Sequence, residues 1–253
     1  MRAFIFLLTC SLVACGSASR SQVRSAEESN PLDARCRGQC EDPAPPLAVG
    51  GRRSANSEVG LAENSARKNE IVARTSEEAS LRSDVVAIAA QYVGLSSLRG
   101  VTREFPDDCT GFVRLVFDQV GVDLMGHGAP KDNGVTAIWR GAKSKGALVK
   151  RTLRPGDIVF FQETYDRNRD GRRNDGLTHL GIVEEVLEDG TVVFIHRGGK
   201  GIARSRFHPS APAVRYANDG RLLNDYLRAR SRKLRAYLAG ELWAGAASVD
   251  RFR

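Results

Sequence analysis

The chain has 253 residues, room for one large or two small domains, but its N-terminal third shows no packing pattern, so one domain is expected. Its formal net charge of +8 favours acidic partners such as anionic lipid headgroups or cell-wall polymers. The basic residues are dispersed among carboxylates and are not interleaved with stacking aromatics, which argues against nucleic acid.

The opening MRAFIFLLTCSLVACGS has one basic residue, Arg2, an apolar run from Ala3 to Leu8 and the small-residue stretch ending at Gly16. So short a run reads as a secretory signal over residues 1–14, not as a membrane span. LVAC resembles the bacterial lipobox, in which the cysteine becomes a diacylated N-terminus, and the resemblance implies that Cys15 is a lipid anchor; an ordinary cleaved signal is the alternative. Gly16, where an Asp would favour retention, points to the outer membrane facing the periplasm, or to the cell surface.

Residues 15–76 are rich in Ser, Ala, Pro, Arg, Asn and Glu without a period of 2 or 3.6, and read as a disordered tether. Cys36 and Cys40 lie in this segment; in an exported protein they can oxidise to a disulfide. A CxxxC pair could also bind metal, but no second Cys/His pair is nearby in sequence. Cys10 leaves with the signal. Of the five cysteines, Cys109 is the one left for a folded domain, and a reactive nucleophile explains an unpaired thiol there.

The folded domain is expected over 77–215. Ser76 with Glu77 and Glu78 suits a helix start, and Gly94 can end a helix of roughly residues 77–93. After a loop, the apolar-periodic run from Cys109 to Val120 reads as a second helix closed by Gly121, and TAIWRGAKSKGAL as a weaker third. LRPGDIVFFQ is a Pro-Gly-Asp turn feeding a strand, and HLGIVEEV and TVVFIH, split by LEDG, read as a hairpin. Helices followed by a small antiparallel sheet give an α+β domain. The segment RLLNDYLRARSRKLRAYLAGELW places Leu223, Leu227, Leu234 and Leu238 on one stripe, so 216–253 is expected to be a helical extension docked on the domain.

YDRNRDGRRND places Asp166, Asn168 and Asp170 at alternate positions before Gly171, as in a calcium loop, although its twelfth position is Leu177 and four arginines oppose a cation. A structural calcium ion is therefore a candidate, against an exposed Asx/Gly turn, and no cofactor is required. Because the loop enters directly before His179, it should border any cleft there.

Cys109 falls in the first turn of its helix, where unpaired N–H groups and the macrodipole favour a thiolate and lower its pKa. Asp108 and Thr110 flank it and are the candidate substrate contacts, with Gly111 keeping the approach open. Free cysteines are often small core residues, but the carboxylates at 107 and 108 mark a polar helix start. A thiol hydrolase also needs a base. Of the four histidines, His127 and His208 lie in Gly/Pro-containing loops, whereas His179 opens one strand of the hairpin and His196 ends the other. A two-residue turn at Asp189-Gly190 would put His196 opposite Val183, about 13 Å along the strand from His179. The parity is right, and a wider loop or a bulge could bring the rings together.

These residues resemble the NlpC-type cysteine peptidases of bacterial cell walls and the related CHAP amidases. DDCTGFVRLVFDQVGVDL is similar to the family's nucleophile helix, RPGDIVFF to its Pro-Gly-Asp strand, HLGIV to its base strand and FIHRGGKGI to the strand of its third polar residue. The resemblance implies a papain-like core with the nucleophile at a helix N-terminus packed on a small antiparallel sheet. It implies Cys109 as nucleophile, His179 as base and His196 as orienter, with peptidoglycan stem peptides as substrate and a monomer as the working form. The chain departs from the pattern where members carry an aromatic-Gly-Gly stretch, having Ser96, Ser97 and Gly100 instead, and the seventeen residues from His179 to His196 are closer to CHAP spacing. A non-catalytic, envelope-binding lipoprotein that keeps the fold is the competing reading.

Overall fold

Residues 56–125, 132–149, 152–232 and 234–252 are described by a computed structural model, with side chains from Glu63 onward. The signal segment, Cys15, Cys36, Cys40, the tether up to residue 55 and His127 lie outside the described residues. Helices α1 (Asn56–Gln91), α2 (Cys109–Asp118) and α3 (Gly134–Ser144) precede β1 (Leu148–Val149), β2 (Ile158–Gln162), β3 (Leu177–Val186), β4 (Val192–Gly198) and β5 (Gly201–Phe207). Then come β6 (Tyr226–Arg228), β7 (Tyr237–Leu238), the short helix α4 (Ala239–Leu242), β8 (Trp243–Ala247) and a 3₁₀ turn over Val249–Arg251. The class is α+β. No helix among the described residues is long and apolar enough to cross a membrane.

The main sheet is antiparallel with order β1-β8-β2-β3-β4-β5, and β6 pairs with β7 separately. Alternation along β2 explains its two-sided burial. Ile158 and Phe160 join Leu180, Ile182 and Ile195 beneath Phe112, Val113, Val116 and Ile138 of the helices, while Val159 and Phe161 join Val183, Phe194, Phe207 and Leu242 in a second cluster. An apolar run buried on both faces is the signature of an interior strand.

Two expectations about boundaries are corrected. The first helix starts at Asn56, not near residue 77, and ends at Gln91, so residues 56–76, expected to belong to the disordered tether, are helical. Its N-terminal half contains no proline and many good helix formers and is exposed over residues 63–77, so propensity sustains that stretch without a buried stripe. The apolar spacing appears at Leu81, Val85 and Ala89, where the helix meets the core. The second correction is larger: 216–253 is not an amphipathic extension. It folds back through β6, β7 and α4, and β8 enters the main sheet between β1 and β2, so the domain does not close at residue 215.

Side-chain chemistry explains why the helical reading of that segment fails. Asn224 is fully buried and uses its whole amide: Oδ1 accepts from the N–H groups of His208 and Gly240, and Nδ2 donates to the carbonyls of Ala211 and Val214. A residue that saturates four distant backbone groups pins a loop and could not sit on a helix surface. His208 is part of the same junction, with Nε2 2.8 Å from the Asp189 carbonyl and Nδ1 accepting from Ser210 and Ala211.

A buried ionic knot ties the two ends of the fold together. Arg82 of α1 donates to Asp157 Oδ1 and the Pro155 carbonyl at the turn before β2, and to Ser248 Oγ and Asp250 Oδ2 after β8, all within 2.6–2.8 Å.

Candidate active site

Asp107 and Asp108, adjacent in sequence, do different work at the start of α2. Asp108 is extended at the N-cap and its side chain accepts from the Gly111 N–H at 2.9 Å. Asp107 accepts from the Leu98 N–H at 3.0 Å, the Ser97 hydroxyl at 2.7 Å and Arg197 Nε of β4 at 3.1 Å. Those bonds, the Leu98 N–H first, hold its carboxyl down at about 2. Gly111 is required by a close approach, since a Cβ there would lie 1.7 Å from the Pro106 carbonyl oxygen.

Cys109 opens the helix as a half-buried free thiol. Its sulfur faces the N–H of Leu180 on β3 and the N–H and hydroxyl of Thr110. The expected lowering of its pKa is overturned: burial, and after it the Asp108 carboxylate, push the thiol up to about 11. The helix N-terminus is present, but Asp108 occupies one of its amides and adds a negative charge beside the sulfur.

The histidines meet through a hairpin that is wider than two residues. Its loop closes by the Leu187 N–H to the Thr191 carbonyl, and the register slips between Val183 and Glu185, so Ile182 pairs with Ile195 and His196 lies across from Gly181, not Val183. Both routes for closing the gap, a wider loop and a bulge, are used. Gly181 supplies the space, because a Cβ there would come within 2.8 Å of the Ile195 carbonyl and 3.1 Å of the His196 Cβ. The His196 ring leans over it and places Nδ1 2.8 Å from His179 Nε2, the ring planes 87° apart. His196 Nε2 in turn lies 3.0 Å from Ser205 Oγ on β5.

Both imidazoles are buried, 9 % and 7 % exposed, against Phe161 and Phe194. Burial lowers His179 well below its ordinary value, helped by His196, and lowers His196 to about 4. Near neutral pH the site therefore holds a neutral thiol and two neutral imidazoles. With His179 Nε2 engaged by His196, Nδ1 is the ring nitrogen left to accept a proton. With a proton accepted at His179 Nδ1, the tautomers would follow: His179 Nε2–H would donate to His196 Nδ1, and His196 Nε2–H to Ser205.

A cleft of about 580 Å³ brings Cys109, His179 and His196 together with Asp108, Thr110 and Arg197. Of the flanking substrate candidates, Asp108 has one oxygen in the helix cap, and Thr110 is 7 % exposed, with its methyl group against Gly134 at the start of α3. Tyr165 and Tyr226 also line the cleft, giving it aromatic walls despite the missing aromatic-Gly-Gly stretch. Ser205 and both tyrosines are missed by sequence reasoning. The available signal for Ser205 was GIARSRF, a second β-capable run directly after the GGK turn.

The calcium-like loop borders an adjoining cavity through Asp166 and Arg169. Its donors are turned inward: Asp166 accepts from the Gly171 N–H, Asn168 from the Asp170 N–H, and Asp170 from Arg172 N–H and Asn174 Nδ2. This is the arrangement of Asx turns. No cluster of three or more metal-ligating His, Cys, Asp or Glu side chains occurs among the described residues.

No curated protein matches the chain. Residues 100–198 match the family model of the CHAP domain, a stretch that contains Cys109, His179 and His196 and stops before Ser205 and the C-terminal segment. CHAP domains are typically hydrolases, amidases or peptidases, and the match at residues 100–198 points to activity on peptidoglycan.

Proposed function

We propose that the chain is a lipid-anchored cell-wall hydrolase that cleaves amide bonds in peptidoglycan stem peptides by a Cys-His-His thiol mechanism. The observation that carries this reading is the 2.8 Å bond between His179 Nε2 and His196 Nδ1 in a cleft shared with Cys109. As substrate seats, His179 Nδ1 takes the thiol proton while sulfur attacks the amide carbonyl. The carbonyl oxygen becomes negative next to the Cys109 helix start, whose amides stabilise it. His179 then gives the proton to the leaving amine, and a water activated by the same ring hydrolyses the acyl-enzyme. His196, kept uncharged by burial, accepts from His179 Nε2–H throughout and so holds the ring in place as it takes and gives the proton.

In this reading Cys15 carries the lipid and the following segment tethers the domain to the outer membrane, facing the periplasm, or to the cell surface. Labelled palmitate should enter the wild-type chain in a bacterial host and not Cys15→Ser; equal labelling would remove the anchor. The hydrolase assignment is tested on purified peptidoglycan. Wild type should release stem-peptide fragments and Cys109→Ala should release none, with unchanged thermal unfolding. Equal release by both would remove Cys109 from the mechanism.

The upward shift of Cys109 favours one other reading, an envelope-binding protein that keeps the fold without the activity. Thiol alkylation alone does not separate the two, because burial raises the thiol in both. Fragment release does: binding to peptidoglycan with no release by wild type supports the non-catalytic form.

A further inference from the structure

The C-terminal segment that completes the sheet also builds a basic groove beside the cleft. A cavity of about 850 Å³ is lined by Arg215, Arg230, Arg232 and Arg235 with Tyr226, the residue that also lines the cleft. A second, of about 480 Å³, joins Arg230 and Arg232 to Arg169 and to Thr164 and Tyr165 of the cleft wall. These guanidinium groups therefore line cavities that share Tyr226, Thr164 and Tyr165 with the cleft. Arg235 is paired with Glu241, and Asp166 lies on the second cavity's wall. Among the described residues Arg169, Arg215, Arg230 and Arg232 form no ion pair, whereas nearby Arg221 and Arg228 face Asp189, Asp219 and Glu163. Arg215 is held flat by two rings, 4.9 Å from the centroid of Tyr216 and 4.6 Å from that of Tyr226.

We infer that this groove is an anion subsite that binds free carboxylates of the peptide whose amide enters the cleft. The inference rests on the peptide-cleaving reading of the cleft. A stacked, planar guanidinium keeps its N–H fork free for bidentate pairing with a planar carboxylate. Several unpaired arginines over adjoining cavities fit a ligand with more than one negative charge, and the tyrosine walls between cleft and groove suit the peptide chain joining them.

The test is binding, with the full-length chain carrying Cys109→Ala so that nothing is cleaved. Two probes are titrated by calorimetry: a synthetic alanine-glutamate-lysine-alanine stem tetrapeptide with free carboxylates, and the same peptide fully amidated. The free acid should bind about tenfold or more tighter, and the advantage should shrink as salt is raised. In Arg230→Gln/Arg232→Gln, both exposed and outside the core, the advantage should fall by at least about fivefold while the amidated peptide binds as before. Arg215→Gln added to these should abolish it; should Arg215 prove necessary for folding, the double variant decides. Equal binding of the two peptides by the parent, or a full advantage retained by the double variant, overturns the proposal. So does displacement by inorganic polyphosphate with no effect of amidation, which would assign the groove to a phosphate polymer. Because no hydrolysis is measured, carboxylate preference in a chain that fails to digest peptidoglycan would count against the proposed activity and not against the subsite.

Discussion

Two buried polar networks, one tying a helix to the sheet through Arg82 and one running across three strands from His179 to Ser205, differ in charge. Around Arg82 burial opposes ionisation, but Asp250 and Asp157 hold the guanidinium charged and above its ordinary value. Among the described residues no carboxylate is bonded to His179 or His196, and burial leaves both imidazoles neutral. The first network is locked by permanent charges and can only hold the N-terminal helix, the turn before β2 and the C-terminus in place. The second is built from groups that exchange protons, bonded from His179 through His196 to Ser205 in the cleft that Cys109 also lines. The contrast separates scaffold from chemistry in one small domain.

The largest expected effects on activity lie in the cleft. His179→Ala should lower amide hydrolysis by about 10³-fold or more while leaving unfolding by heat or denaturant nearly unchanged. A matching loss of stability would make His179 scaffold as well. Arg82→Ala should do the reverse: removing one partner strands buried carboxylates and costs about 3–5 kcal/mol of stability. At temperatures where that variant remains folded, its turnover should stay close to wild type. His196→Ala should lose about 100-fold in turnover and His196→Gln less than about tenfold, since an amide can accept from His179 Nε2–H. Equal, near-wild-type rates for both would move the orienter elsewhere. Ser205→Ala should cost about fivefold, the worth of one hydrogen bond.

The networks also differ in pH response. The folded-state pKa values of His179 and His196 lie below 6.5, so under acid the unfolded chain binds protons that the native chain does not. Stability should accordingly fall as pH drops from 6.5 towards 4, by about 1 kcal/mol per pH unit for each ring titrating. The slope should lessen in His196→Gln. The acid limb of hydrolysis should likewise lie below 6.5, because His179 must be neutral to act as base.

Sequence reading reaches the cleft better than it reaches the fold's closure. Cys109 is legible because an isolated thiol precedes a strongly amphipathic helix, and the histidines because both sit at ends of β-branched runs. Their contact needed a wide loop, a bulge and Gly181 together, none of which a periodicity rule specifies. The C-terminal segment misleads for a physical reason: Leu223 and Leu238 are buried, but as parts of a loop and a strand whose course is fixed by Asn224 and by pairing of β8 with β2. The first 25 residues of α1 carry no apolar stripe, so a rule based on burial could not find a helix held by propensity alone.

At the centre of the account is a nucleophile that rests as a neutral thiol and is activated by proton transfer to His179. The rate of Cys109 alkylation by iodoacetamide as a function of pH measures this directly, alongside amide hydrolysis on the same samples. Alkylation should rise with a midpoint above the ordinary free-cysteine value of about 8.5, while hydrolysis already proceeds at neutral pH. A rate of alkylation that has reached its plateau by about pH 7, and collapses to ordinary thiol behaviour in His179→Ala, would show a preformed thiolate–imidazolium pair and contradict it.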